Sequence, residues 1–352
     1  MKVIVDDKIP YIREALDAMG VDAVYAPGAH IDAALVRDAD ALIVRTRTRC
    51  DAHLLDGSRV QFIATATIGY DHIDTAYCAA HNIYWTNAPG CNAASVCQYV
   101  QSVLLLLQRE QGFPLASSTI GIVGVGHVGT LVARMAATWG MRVLLCDPPR
   151  AQQGEEGFVS LSEIAREADV ITIHTPLTHD GPYRTWHLAD SDFFAHLERK
   201  PYFINTSRGE TTDTAALLQA LDAGYIAQCI IDVWEHEPGI DLTLLDRCYI
   251  GTPHIAGYSA DGKATATRMS LEALAQHFGL GVVPEIVPPA PTHSVSLDGD
   301  IESALLQIYN PHDDSNALKA RPEDFEWLRG NYPHRREETA YGIHRNNRQQ
   351  IL

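Results

Sequence analysis

Positive charge is scarce in this sequence: 27 Lys and Arg face 44 Asp and Glu, a formal net charge of −17 over 352 residues. So acidic a chain excludes nucleic acid and anionic membrane as partners, and an anionic substrate then needs a local cluster of arginines. Long hydrophobic runs are also missing, and the longest aliphatic run, residues 103–107, is far too short to cross a bilayer. None of the seven cysteines, Cys50, Cys78, Cys91, Cys97, Cys146, Cys229 and Cys248, forms a C-x-x-C. Their odd number and scatter exclude a disulfide framework and a zinc cluster, so no metal is expected and the thiols read as free in a reducing compartment. The first residues turn acidic by Asp6 and lack a signal-peptide form. The expected location is the cytoplasm. No internal repeat or low-complexity tract is present.

The hydrophobic fraction of 46% and charged fraction of 20% are ordinary for a globular chain long enough for two or three domains. Short apolar runs recur at 3–6, 41–46, 62–67 and 83–87, followed by a helical stretch over 92–111. Further runs lie at 120–125, 143–147, 170–175, 203–206, 229–234 and 249–252. Runs that are apolar throughout and alternate with helical segments imply parallel sheets covered on both faces. The expected fold is α/β, with two doubly wound parallel-sheet domains, Rossmann-like and flavodoxin-like, and a cleft between them. The amphipathic stretch 259–278 is expected to form a helix returning to the first domain. A Pro-rich linker follows over 279–291; beyond it 301–309 and 322–328 read as helical, and the polar tail 344–350 reads as frayed. So small an appendage has little core of its own and is expected to pack on a partner subunit.

The strongest local pattern is strand, glycine turn, helix, strand and acid over residues 120–147. Gly124, Gly126 and Gly129 form G-x-G-x-x-G, with His127 and Val128 as the intervening residues that open the helix. The glycines allow a tight turn, close approach of backbone to a pyrophosphate, and close packing of helix on strand. Asp147, eighteen residues past the last glycine, stands where a carboxylate would bind the adenosine ribose hydroxyls. It would repel a 2′-phosphate, so NAD is favoured over NADP.

Candidate chemical residues fall after later strands of the same domain. Arg208, between Ser207 and Gly209, carries a planar fork suited to a carboxylate. Glu237 lies in Asp232-Val233-Trp234-Glu235-His236-Glu237-Pro238, and His254 in Thr252-Pro253-His254-Ile255-Ala256-Gly257-Tyr258. A histidine oriented by a carboxylate is the group needed to take a hydroxyl proton while hydride leaves. Singly, each has a blander reading as surface cation, solvated loop or packing residue. At successive strand ends beside a dinucleotide fingerprint, the chemical reading is favoured.

The order of these motifs, together with His174-Thr175-Pro176, resembles the D-isomer-specific 2-hydroxyacid dehydrogenases. Segments 64–72, 88–93, 145–150, 180–183 and 328–337 are similar to one branch, which acts on 4-phospho-D-erythronate and carries an extra dimerisation domain. The resemblance implies a small C-terminal dimerisation region, abbreviated here, and a homodimer. The fingerprint divides the strands into a domain at 1–93 plus 258–281 and an NAD-binding one at 94–257, with 282–352 beyond them; the resemblance gives the first to substrate and the last to dimerisation. By the same resemblance Arg208 is the carboxylate clamp, His254 the acid–base and Glu237 its partner. Asp147, Thr175, Asp232 and Gly257 fall at NAD positions, and Thr46, Thr67 and Tyr258 at substrate positions. For the substrate phosphate, Arg45, Arg47 and Arg49 alternate at a strand end, where period-2 geometry can place them on one side. Arg335 or Arg336 from a partner subunit is the other candidate. Two alternatives stay open: a dehydrogenase for another acid such as 3-phosphoglycerate, and an NAD-sensing binding protein.

Overall fold

The computed structural model describes residues 1–296 and 300–343 and divides into two compact units, Met1–Asn92 with Ser259–Ala290, and Ala93–Tyr258 with Pro291–Leu352. The expected frayed tail, 344–350, lies outside the described residues. Among the described residues, no helix is long and apolar enough to cross a membrane.

The first unit is built on strands β1 (Lys2–Asp6), β2 (Asp22–Ala26), β3 (Ala41–Val44), β4 (Phe62–Thr65) and β5 (Tyr84–Thr86), in the order β2-β1-β3-β4-β5. All pairings are parallel, which is the flavodoxin-like order with its topological switch between β1 and β3. Alternation along each strand splits the core in two. Ile4, Leu42, Val44 and Ile63 pack on one face. Val3, Val5, Ile43 and Phe62 pack on the other, against Leu271 and Leu274 of helix Ala260–Phe278. Ser259 caps that helix by accepting from Gly262 N–H at 2.8 Å, and Gly279 ends it at φ +64°. β2 was not foreseen: Asp22-Ala-Val-Tyr-Ala is only half-buried, as suits an edge strand, and carries little apolar signal.

The second unit holds β6 (Thr119–Val123), β7 (Arg142–Cys146), β8 (Val170–Ile173), β9 (Tyr202–Asn205), β10 (Gln228–Ile231) and β11 (Ile250–Gly251), in the order β11-β10-β9-β8-β6-β7. These pairings are parallel too. The switch falls between β6 and β8, so ligands belong at the carboxyl ends of those strands. Helix Ala93–Gln111 covers one face through Val100, Val103, Leu104 and Leu107.

The C-terminal segment departs from expectation. Its apolar residues find a core in their own chain: Leu305, Leu306, Ile308 and Tyr309 join the face under helix Ala93–Gln111, and Leu318 and Phe325 join the opposite one. An unforeseen helix, Pro311–Ala320, lies beside β11, where Ser315 Oγ accepts from Gly251 N–H at 3.1 Å and Lys319 Nζ donates to the Cys248 carbonyl at 2.6 Å. The reading of a coreless appendage overlooked that the segment can complete a face the sheet leaves open.

Candidate active site

β6 is buried along its whole length and ends at Val123. Gly124 follows at φ +88°, and a Cβ there would meet the His174 carbonyl at 2.8 Å and Thr175 Cγ2 at 2.9 Å. Gly126 precedes helix His127–Thr138, and a Cβ on Gly129 would land on the Gly124 carbonyl oxygen. Both the turn and the helix approach therefore require glycine. His127 is exposed in the first helical turn and Val128 is half-buried. Asp147, half-buried after β7, accepts from Val125 N–H at 2.8 Å and from Arg150 N–H at 3.2 Å. Arg150 is committed as well, to Glu155 and to the Val125 carbonyl. Thr175 Oγ1 is buried without a hydrogen-bond partner, which marks a polar atom awaiting one. A glycine cradle at a helix N-terminus, an acid after β7 and an orphaned hydroxyl after β8 fit a dinucleotide. No group of three or more His, Cys, Asp or Glu suited to a metal converges among the described residues.

The residues after β10 and β11 form one network. Asp232 is 1% exposed. Its carboxylate accepts from Thr252 Oγ at 2.7 Å, Ile255 N–H at 2.8 Å and Ala256 N–H at 3.0 Å. Burial pushes its pKa up, against the opposing pull of His254 and these donors. The same residue's carbonyl accepts from His254 N–H at 2.8 Å, and His254 sits at φ +57°, a left-handed conformation costly for a residue with a Cβ. Asp232 thus holds the turn that presents the His254 ring. Nδ1 of that ring lies 2.8 Å from Glu237 Oε2, while Glu237 Oε1 accepts from Trp234 N–H at 2.9 Å. Burial opposes ionisation of Glu237, but the bond and charge of His254, the Trp234 N–H and Arg329 outweigh it and hold the carboxyl below its ordinary range. An ionised carboxylate can only accept, so Nδ1 carries the proton and Nε2 is the free base.

Arg208 follows β9 on a turn built by Asn205. That side chain is 1% exposed, accepts from Ser207 N–H at 3.0 Å and donates to the Arg208 carbonyl at 3.0 Å. The half-buried Arg208 guanidinium donates to the Ser207 carbonyl at 2.7 Å and forms no ion pair among the described residues. A cation left unpaired in so acidic a chain is available to an anion.

In the first unit, Thr67 Oγ1 donates to the Gly69 carbonyl at 2.9 Å and lies 2.7 Å from Thr65 Oγ1. None of the N–H groups of Thr67, Ile68 and Gly69 donates to another described residue. The arginine cluster requires correction. β3 ends at Val44, and residues 46–48 are turn, with Thr48 N–H bonded to the Arg45 carbonyl at 3.2 Å. Period 2 therefore does not apply: Arg45 donates to the Lys8 carbonyl at 3.2 Å, Arg47 and Thr46 are exposed, and Arg49 pairs with Asp51 at 2.8 Å. Arg335 is corrected too. It is 7% exposed and turned into its own chain, donating to the Ala256 carbonyl at 2.6 Å, so it does not reach for a partner's substrate. Gly257 and Tyr258 are half-buried beyond this loop, with Tyr258 Oη 3.1 Å from Arg329 Nε.

Sequence reasoning missed Asn205, Thr252, Tyr99 and Arg329. Asn205 sits in the apolar run 203–206 and Thr252 within a quoted motif, and both were passed over because uncharged residues rarely signal chemistry. Tyr99, 2.9 Å from Thr252 Oγ1, carries no local signal, and Arg329 lies in the quoted tail segment 328–337, where nothing local points to Glu237.

Residues 92–256 match the D-isomer specific 2-hydroxyacid dehydrogenase, NAD binding domain, and residues 284–352 match a domain of unknown function, DUF3410. The chain is 57% identical over 344 residues to an erythronate-4-phosphate dehydrogenase of Bacteroides thetaiotaomicron, covering 97% of this chain and 99% of that one. It is 44% identical to the protein of the same name from Porphyromonas gingivalis, covering 97% and 95%. Among solved structures it resembles a D-lactate dehydrogenase from Aquifex aeolicus in complex with NAD and lactic acid, with TM-score 0.63, 25% identity, and 79% and 96% of the two chains covered. The TT0316 protein from Thermus thermophilus gives TM-score 0.63 at 28% identity, covering 83% and 100%. The chain is an NAD-dependent dehydrogenase and belongs to the erythronate-4-phosphate dehydrogenase family, within the D-isomer specific 2-hydroxyacid dehydrogenases.

Proposed function

We propose that the protein oxidises 4-phospho-D-erythronate at C2 to 2-oxo-3-hydroxy-4-phosphobutanoate, a step of vitamin B6 synthesis. The observation that carries this reading is the 2.8 Å contact of His254 Nδ1 with Glu237, which leaves Nε2 as a base at the carboxyl edge of a dinucleotide-binding sheet. Bound NAD supplies the hydride acceptor. Arg208 takes the substrate carboxylate through its fork. His254 Nε2 accepts the C2 hydroxyl proton, and Glu237 stabilises the imidazolium so formed. Gly124, Gly126, His127, Val128 and Gly129 would hold the pyrophosphate and Asp147 the adenosine ribose, with Thr175, Asp232 and Gly257 as further NAD-binding residues. The three unengaged N–H groups of Thr67–Gly69 form an anion-binding turn, and Arg45 and Thr46 stand at the switch point of their own sheet.

A cytoplasmic location and a homodimer through the C-terminal region belong to the same proposal. Seven free cysteines support the first and Trp327, 56% exposed, the second; sedimentation at micromolar concentration tests the dimer. The substrate is tested by NADH formation with 4-phospho-D-erythronate, D-erythronate and 3-phosphoglycerate. Preference for the first supports the proposal; preference for 3-phosphoglycerate replaces it, and tight NAD binding without turnover of any acid favours a binding protein.

A further inference from the structure

Both oxygens of Glu237 are engaged from the loops after β10 and β11, Oε1 by Trp234 N–H and Oε2 by His254. A third group reaches it from the C-terminal segment. Arg329, on helix Phe325–Gly330, has Nη1 3.9 Å from Glu237 Oε2 and Nε 3.1 Å from Tyr258 Oη, with its guanidinium 5.8 Å from the Tyr258 ring centroid. Arg335, from the same segment, grips the loop beyond His254 through the Ala256 carbonyl at 2.6 Å and the Ser95 carbonyl at 3.4 Å. We propose that Arg329 is a positioning residue of the acid–base pair, so that the segment matched by a domain of unknown function completes the catalytic centre of its own chain by holding the Glu237 carboxylate towards His254 and Tyr258 in place.

The physical reason is competition for one oxygen. Imidazolium at His254 and guanidinium at Arg329 both face Glu237 Oε2, so Arg329 weakens the pull that Glu237 exerts on the proton of His254 while keeping the carboxylate charged. Asp232 acts on His254 in the opposite sense from β10, and Glu326, beside Arg329, attenuates the guanidinium. Trp234 contributes its neutral N–H and Tyr258 its phenol. Removing the guanidinium leaves Glu237 to stabilise protonated His254 unopposed. The acidic limb of kcat/KM for hydroxy-acid oxidation, which needs neutral His254, should then move to higher pH.

This rests on His254 being the acid–base, and the experiment separates the two claims. The full chain is compared with R329M, R329K, E326Q and H254A by kcat/KM against pH, with Tm alongside. R329M is expected to move the acidic limb up by about 0.5–1 pH unit, less than a fully buried charge would give. R329K, keeping the charge, should leave the limb in place but raise KM, since an ammonium cannot reproduce the Nε contact with Tyr258. E326Q should move the limb slightly down, which keeps the proposal testable if R329M does not fold. A limb unmoved in both R329M and E326Q overturns the proposal. So does equal loss of activity and Tm in R329M and R329K, which is the mark of a structural role alone. An H254A protein that keeps the limb instead overturns the acid–base reading.

Discussion

The Thr252 hydroxyl and the Asp232 carboxylate meet at 2.7 Å between the ends of β10 and β11, and Tyr99 Oη lies 2.9 Å from the same hydroxyl. Thr252, 0% exposed, thus joins helix Ala93–Gln111 to the turn that presents His254. Thr252→Val keeps the shape and removes the hydroxyl, leaving a buried carboxylate short of a donor. Stability should fall by about 1–3 kcal/mol, the usual cost of a buried unsatisfied polar group. Urea unfolding measures this, and an unchanged midpoint would mean water satisfies the site.

His174 gives a pH prediction. Burial pushes its pKa down to about 3, and its ring nitrogens lie 3.0 Å from Thr172 Oγ1 and 3.3 Å from Thr206 Oγ1. Below the ordinary value of 6.5 the unfolded chain binds a proton that the folded chain refuses. Stability therefore falls as pH drops from that value towards about 3, by roughly 1.4 kcal/mol per pH unit. His174→Gln lacks this term, so its stability gap to the wild type should narrow between pH 7 and pH 5. A gap that widens on acidification contradicts the assignment.

Asp147→Ala should lower the preference for NAD over NADP, because it removes both the ribose contact and the repulsion of a 2′-phosphate. Arg150 does not simply become available, since Glu155 and the Val125 carbonyl hold it. The double variant with Glu155→Gln should shift the ratio of kcat/KM values further than Asp147→Ala alone. Equal ratios in both would show that Arg150 never reaches the phosphate.

Arg208→Lys keeps the charge and loses the fork. A charge-assisted bond is worth about 1.5–3 kcal/mol, so kcat/KM for the hydroxy acid should fall roughly ten- to hundredfold, with NADH affinity unchanged. Titration of NADH fluorescence beside steady-state rates separates the two, and a parallel loss of NADH binding would place Arg208 at the cofactor instead.

The two sheets and the glycine fingerprint were legible because parallel strands buried on both faces must be largely apolar, as the fully buried β3 and β8 are. Arg208, Glu237 and His254 were legible because their motifs survive as short contiguous strings. The arginines failed where the reasoning extended a strand past its end: β3 stops at Val44, and the alternation of Arg45, Arg47 and Arg49 in sequence has no counterpart in space. Arg329 and Arg335 stood in a legible tail segment, but the groups they hold could not be read from it. Tyr258 is 71 residues from Arg329 and Ala256 is 79 from Arg335, and only folding of the C-terminal segment within the second unit brings them together.

The central claim is that His254 is the base and Glu237 its orienting partner. The most direct test is His254→Ala, with NADH affinity and kcat for 4-phospho-D-erythronate measured on the same preparation. The account predicts NADH affinity close to wild type and a fall in kcat of roughly 10²–10⁴, the range for general acid–base catalysis. A variant that retains more than half of the wild-type kcat would contradict it.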